Sequence, residues 1–118
     1  MDEPVLLHNP RCSKSRAAHA LLTERGVRFR ERRYLEEPLS RPELEVLAAR
    51  LGLPPSAWVR KAEEAYAAAG LDAGASDDAI LDAMAAHAIL IERPILVAGE
   101  RAVVGRPPER VLELLDGG

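Results

Sequence analysis

The sequence holds a single cysteine, and the residues around it are suited to nucleophilic chemistry. Cys12 lies in residues 8–16, HNPRCSKSR, which follow a short apolar run and precede a helical pattern. A cysteine at a loop–helix junction meets free backbone N–H groups and the positive end of the helix dipole. Such a position binds anions and lowers the pKa of a thiol, and the thiolate is the reactive form. The loop therefore indicates a nucleophilic sulfur beside an oxyanion.

Each of these residues also has a plain structural interpretation. A free cysteine often packs as a small buried hydrophobe, although the basic residues at positions 11, 14 and 16 favour a reactive thiolate for Cys12. His8 either ends a strand, orients the loop or serves as a base. Ser15 either caps the helix or donates a hydrogen bond to the thiolate or to an anion. These alternatives stay open on the residues alone.

Three arginines, Arg60, Arg93 and Arg106, are candidates for holding the oxyanion. An arginine is ordinarily a solvated surface charge. Arg93 precedes Pro94 at a predicted strand start, however, and Arg106 lies at a predicted strand end. Loops at strand ends in α/β sheets are common ligand sites, and a guanidinium binds tetrahedral oxyanions bidentately. Arg60 has only a helical context, which favours the surface interpretation for it.

The elements that must position these side chains follow from hydrophobic spacing and from turn residues. A strand–helix–strand unit predicts a parallel pair with a right-handed crossover. A block of short helices follows over about 41–87, and a hairpin and a last helix complete an α/β fold with a mixed four-stranded sheet flanked by helices. The predicted strands are 5–8, 27–35, 94–97 and 101–104, and the predicted helices are 13–25, 42–51, 54–59, 62–69, 77–87 and one opening at Pro107.

The composition bounds the class of protein. A chain of 118 residues is most simply one domain, 1–118, and a net charge of −3 with 47% hydrophobic residues does not favour a nucleic-acid or membrane partner. A single cysteine excludes an internal disulfide and favours a reducing, cytoplasmic location. Three widely spaced histidines form no metal-ligand pattern. Nothing in the sequence demands more than a monomer.

Four motifs together resemble the glutaredoxin-coupled arsenate reductases of bacteria. They are HNPRCSKSR at 8–16, YLE at 34–36, IERPI at 91–95 and GRPPE at 105–109, and they occur in the family's order and spacing over essentially the whole chain. Ser13-Lys14 after the cysteine, and the GRPPE ending, are more similar to a short, chromosomally encoded branch than to the plasmid-type enzymes.

The resemblance implies a thioredoxin-like fold with a helical insertion, here about 41–87. It implies that Cys12 is the nucleophile and that Pro94 is the cis-proline of such folds. It further implies that three arginines hold the oxyanion and that three loop residues support the site. These are Arg60, Arg93 and Arg106, and His8, Asn9 and Ser15.

The implied reaction is the reduction of arsenate to arsenite. The thiolate of Cys12 attacks arsenic, glutathione then adds as a co-substrate, and glutaredoxin resolves the mixed species. A single cysteine fits this scheme, because external thiols supply the remaining electrons. The expectation is therefore an enzyme without a bound cofactor or metal that meets an oxyanion, glutathione and glutaredoxin.

Two alternatives come from other classes of protein. Related thioredoxin-fold regulators bind RNA polymerase, but they usually carry a CxxC switch, and position 15 here is serine. A general thiol oxidoreductase would form a mixed disulfide with glutathione and have no role in arsenic chemistry. Arsenate-dependent turnover separates both alternatives from the first hypothesis.

Overall fold

A computed structural model describes residues 3–116 of the chain. Its contacts divide the chain into two compact units. The first is built from the two ends of the chain, up to Glu37 and from Arg93 onward, and the second is Pro38–Glu92. The predicted helical insertion, about 41–87, falls inside the second unit, whereas the single domain over 1–118 stays a prediction.

The regular elements are short and follow the predicted order. The strands are β1 (Val5–Leu7), β2 (Arg30–Arg32), β3 (Ile95–Ala98) and β4 (Arg101–Val104); the α-helices are α1 (Ser13–Glu24), α2 (Arg41–Leu51), α3 (Glu64–Ala68), α4 (Asp77–Ala86) and α5 (Glu113–Asp116); 3₁₀ turns cover Pro55–Ala57, Ala88–Leu90 and Pro108–Leu112.

The sheet confirms the predicted mixed arrangement of four strands, in the order β2-β1-β3-β4. β1 pairs in parallel with β2 and antiparallel with β3, and β4 returns antiparallel to β3. Leu7 at the end of β1 is paired with Ile95 at the start of β3, which is paired in turn with Val104 at the end of β4. Consequently the loop after β1, the residues before β3 and the residues after β4 leave the sheet at one edge.

The core of the first unit lies between one face of this sheet and α1. Leu6, Leu96 and Val103 are neighbours across three strands, so their side chains share a face. Ala18 and Leu22, four residues apart on α1, pack on that face. Burying a leucine side chain contributes about 1.5–3 kcal/mol, so this layer fixes the start of α1 against the sheet.

The second unit is held by α2 packed on α4. Ser40 and Glu43 form the predicted capping box at the start of α2, which satisfies N–H groups that would otherwise lack partners. Arg41 joins the two helices through ion pairs with Asp78, at 2.6 Å, and with Asp82. α4 begins after Ser76, whose side chain accepts the N–H of Ala79 as predicted.

The second strand is much shorter than the predicted 27–35. Val27 and Phe29 pack against the core before pairing begins, so their alternation reflects burial and not strand hydrogen bonding. After Arg32 the chain turns, because the backbone N–H groups of Glu36 and Glu37 both donate to the carbonyl of Arg33. Only Arg30–Arg32 pairs with β1.

The predicted helical context of Arg60 is wrong. The helix expected over 54–59 is a single 3₁₀ turn, Pro55–Ala57, after which Val59 forms an isolated antiparallel bridge with Ile91. The N–H of Arg60 accordingly donates to the carbonyl of Leu90 at 2.7 Å. Apolar side chains at 58 and 59 fit an extended buried segment as well as a helix, and tertiary pairing selects the former.

The remaining differences concern element ends and prolines. The helix expected from Pro107 is a 3₁₀ turn followed by the short α5. The Arg93–Pro94 peptide bond is cis, as the resemblance implied, and Arg106–Pro107 is also cis. Within residues 3–116, no helix combines the length and the apolar character that crossing a bilayer requires, since a span needs about 20 apolar residues.

Gly105 marks a close approach that only glycine permits. A Cβ at this position would lie 2.8 Å from Cγ of Pro94 and 2.9 Å from Cγ1 of Val111. Overpacking of this kind costs about 1–3 kcal/mol, so we expect Gly105→Ala to lower the free energy of unfolding by that amount in urea denaturation. Gly74→Ala is the matched control, because its Cβ would meet only Oδ1 of Asp72, at 3.4 Å. Equal stability of the two variants would contradict the packing argument.

Candidate active site

The loop before α1 is held by Asn9. Its backbone carbonyl accepts the N–H of Cys12 at 3.0 Å, and its side-chain Oδ1 accepts the N–H of Arg11, also at 3.0 Å. Cys12 then serves as the N-cap of α1, and its carbonyl accepts the N–H of Arg16. Asn9 is itself buried. The supporting role predicted for Asn9 thus corresponds in the structure to shaping the turn that delivers Cys12 to the helix.

Cys12 is 9% exposed, and its surroundings favour the thiolate. Burial raises the pKa of the Cys12 thiol, but the backbone N–H groups of Ser15 and Lys14 and the guanidinium of Arg93 act in the opposite direction and prevail. The net pKa therefore lies below the usual value of a cysteine. Arg93 contributes both its positive charge and a hydrogen bond to the sulfur. The pattern matches the electropositive setting that makes a cysteine reactive.

Ser15 does not serve the sulfur through its hydroxyl. The buried Oγ of Ser15 accepts the N–H of Asn9 at 3.0 Å and lies 2.7 Å from Nδ1 of His8. Burial lowers the pKa of His8, with the Glu31 carboxylate opposing, so we assign a neutral ring at pH 7. The hydroxyl then donates to Nδ1, and the ring proton resides on Nε2. Of the predicted alternatives, loop orientation is the one that this geometry supports for His8.

His8 is the first residue in a chain of side-chain contacts, through His19 and Glu31 to Arg33, that the sequence did not indicate. The rings of His8 and His19 contact each other at a tilt of 39° with centroids 5.0 Å apart, and Nε2 of His19 is 3.0 Å from Oε1 of Glu31. Arg33 donates to the other oxygen of Glu31 at 2.7 Å, and this hydrogen bond lowers the pKa of the Glu31 carboxyl. Alternation of charged residues along β2 was the available signal, but it did not reveal which partner each would meet.

Arg93 and Arg106 come together because β3 begins where β4 ends. The Nε of Arg106 donates to the backbone carbonyl of Arg93 at 2.9 Å, and the N–H of Gly105 donates to the carbonyl of Pro94 at 2.8 Å. Pro94 is buried and separates Arg93 from β3. The first unit therefore assembles Cys12, Arg93 and Arg106 with the buried Pro94.

Arg60 belongs to the second unit, where it meets two carboxylates. Its Nη1 lies 2.6 Å from Oε1 of Glu63, and its Nε lies 4.0 Å from Oε1 of Glu92. The role in oxyanion binding that the resemblance implies for Arg60 stays a prediction. In the described part of the chain, no cluster of three or more histidine, cysteine or acidic side chains is arranged to hold a metal ion.

One contributor was predicted in kind and another was missed. The free backbone N–H groups expected at the loop–helix junction are those of Lys14 and Ser15. The role of Gly105 was not predicted, although its lack of a side chain is what lets Pro94 and Val111 approach. A glycine directly before an arginine–proline pair was the only available hint.

Comparison with known proteins gives a consistent result. The ArsC family matches residues 7–114. A protein of Neisseria meningitidis named arsenate reductase is 43% identical over 98% of this chain and 100% of its own length. An Escherichia coli protein of the same name is 38% identical over 98% of this chain and 82% of its own length.

A solved structure agrees with the sequence comparisons. The arsenate reductase from Vibrio cholerae superimposes with a TM-score of 0.89 at 48% identity, covering 94% of this chain and 96% of that protein. With the observed strand order, this likeness confirms the predicted thioredoxin-like fold class.

The thiol can be titrated directly. We expect the rate of Cys12 alkylation by iodoacetamide to rise with pH through a midpoint below about 8.5, the value of a free cysteine. Arg93→Ala should move this midpoint upward, because it removes a positive charge and a donor from the sulfur.

Lys14→Ala is the matched control for this titration. It deletes a neighbouring charge but keeps the backbone N–H that acts on the sulfur, so the midpoint should stay below the free-thiol value. A midpoint in the wild type at or above that of free cysteine would contradict the thiolate assignment.

Proposed function

Since the chain belongs to the ArsC family, we propose that it is an arsenate reductase whose nucleophile is the thiolate of Cys12. The observation that carries this proposal is the position of the sulfur, at the N-terminus of α1 and hydrogen-bonded by Arg93, where its pKa is lowered. Relatives named arsenate reductase align over nearly the whole chain, which supports the same reaction.

The first step forms a bond between the sulfur of Cys12 and arsenic(V). The thiolate attacks the tetrahedral oxyanion, an As–O bond breaks, and the departing oxygen leaves as hydroxide or, with a proton, as water. Arg93 and Arg106 neutralise the remaining oxygens, because guanidinium groups form paired hydrogen bonds with such anions. The hydrogen bond from Arg106 to the backbone carbonyl of Arg93 holds the two arginines next to each other.

The second step brings an external thiol. Glutathione attacks the thiol–arsenate, displacing another oxygen as water, and glutaredoxin resolves the mixed species. The glutaredoxin thiolate attacks the glutathione sulfur; the bond between that sulfur and arsenic breaks with its electron pair left on arsenic, now arsenic(III), and the two sulfurs become a disulfide. Water then cleaves the bond between Cys12 and arsenic, which returns the Cys12 thiol and releases arsenite. Cys12 is the only cysteine of the chain, so at least one sulfur of the disulfide comes from outside. A reducing cytoplasm is the compartment we propose, because Cys12 must remain a thiol between turnovers.

The supporting residues hold the loop and take no part in bond making. Nδ1 of His8 accepts a hydrogen bond from the Ser15 hydroxyl, so we assign His8 to positioning and not to general base catalysis. Asn9 fixes the turn before Cys12 through two hydrogen bonds. Arg60 is proposed as a third contributor to the oxyanion site on the resemblance alone; in the second unit its guanidinium meets Glu63 and Glu92.

Arsenate turnover tests the reaction itself. Purified protein is supplied with arsenate, glutathione, glutaredoxin and a glutathione-regenerating reductase, and NADPH oxidation is followed. We expect arsenate-dependent NADPH oxidation that Cys12→Ser abolishes, because a serine hydroxyl stays protonated at neutral pH and is then not an effective nucleophile toward arsenic. Omitting glutaredoxin separately tests the coupling partner. Oxidation no greater than that of Cys12→Ser would refute the assignment and favour one of the other classes.

The two arginines of the first unit should affect substrate binding differently from a surface arginine. We expect Arg93→Ala and Arg106→Ala each to raise the KM for arsenate by about tenfold or more, since a charge-assisted hydrogen bond to an anion contributes about 1.5–3 kcal/mol. Arg101→Ala is the control, because Arg101 is exposed and belongs to the same hairpin. Normal KM values for both site variants would remove these residues from the oxyanion site.

A further inference from the structure

A surface pocket next to the loop that carries Cys12 has no part in the proposed binding of arsenate. It has a volume of about 240 Å³. One side is formed by loop residues 8–11, which lead directly into Cys12, and the other by Arg33, Leu35 and Glu36. Both sides belong to the first unit.

The pocket carries charges of both signs around an apolar side chain. Arg11 and Arg33 supply two guanidinium groups, Glu36 supplies a carboxylate, and Leu35 is 40% exposed between them. Arg33 is oriented by its 2.7 Å hydrogen bond to Glu31. A turn in which the N–H of Glu36 donates to the carbonyl of Arg33 keeps Glu36 close to Arg33. Opposite charges therefore lie close together on this surface.

Resting on the proposed function, we infer that this pocket binds the γ-glutamyl end of the glutathione co-substrate. That end carries an α-carboxylate and an α-ammonium on one carbon, so it matches a site with guanidinium groups and a carboxylate. The glycine end carries a carboxylate alone and would leave Glu36 opposed to a like charge. A carboxylate paired with an arginine fork gains two parallel hydrogen bonds.

The dimensions agree with partial enclosure of the peptide. Pockets that enclose a whole drug-sized ligand measure about 300–1,000 Å³, so 240 Å³ takes one end of a tripeptide and leaves the remainder outside. The Cα atoms of Arg11 and Cys12 are about 3.8 Å apart, and an extended tripeptide spans about 10 Å. A thiol tethered in this pocket is therefore within reach of an adduct on Cys12.

Truncated thiols test which end is recognised. γ-Glutamylcysteine keeps the γ-glutamyl end, whereas cysteinylglycine lacks it. We expect kcat/KM with γ-glutamylcysteine to stay within about threefold of that with glutathione, and kcat/KM with cysteinylglycine to fall by about tenfold or more. Arg11→Gln should reduce this preference, and comparison with the wild type cancels the intrinsic reactivity of each thiol. Equal use of both dipeptides by the wild type would overturn the inference.

Removing single charges from the pocket tests whether glutathione binds there. Arg11→Gln and Glu36→Gln should each raise the KM for glutathione by about fivefold, with the KM for arsenate unchanged, because solvent-exposed pairs are modest in strength. Arg28→Gln is the matched control, since Arg28 is exposed and outside the pocket. Glutathione KM values equal to that of the control would overturn the inference even if arsenate reduction is normal.

Binding without chemistry separates this inference from the proposed reaction. S-Methylglutathione cannot attack arsenic, so its titration into the 15N-labelled protein reports occupancy alone. We expect the backbone amide signals of Leu35 and Glu36 to shift in the wild type and to shift less in Arg11→Gln. If these signals shift but the protein does not turn over arsenate, the binding of glutathione in the pocket is supported and the proposed function is refuted. Unchanged amide signals at millimolar S-methylglutathione would overturn the inference that this pocket binds glutathione.

Discussion

A buried sulfur carries a charge only when its neighbours outweigh the cost of desolvation. Cys12 is 9% exposed, and burial alone would keep its thiol protonated. The compensation comes from two backbone N–H groups of α1 and from Arg93. Because N–H groups at a helix start have no partner within the helix, the helix supplies donors without any specialised side chain. The proposed chemistry depends on this balance.

The balance requires three distant segments to meet at one edge of the sheet. The register Leu7–Ile95–Val104 places the loop after β1, the residue pair before β3 and the residues after β4 together. Gly105 permits the last of these to approach Pro94, and Arg106 then reaches the carbonyl of Arg93. The packing of Ala18 and Leu22 against the sheet holds α1, and with it the donors for the sulfur, at the same edge.

The loop before α1 presents different groups on its two sides. Toward the helix it presents the sulfur, with Asn9 and the Ser15–His8 pair fixing its shape. Toward the turn after β2 it presents Arg11, opposite Arg33 and Glu36. In the proposed reaction this loop lies between the oxyanion and the glutathione thiol and so brings two reactants to one atom, which lowers the entropic cost of their reaction.

The sequence by itself determined the order of elements and the position of Cys12 at a loop–helix junction. Local rules sufficed there: a capping box at Ser40, the cap at Ser76 and a cysteine before a helical pattern each depend on neighbours in the chain. Tertiary structure alone decided the short β2, the extended path at Val59 and the partners of each arginine. These depend on groups distant in sequence, and a residue's identity fixes its donors and charge but not which of several carboxylates, carbonyls or sulfurs it will meet.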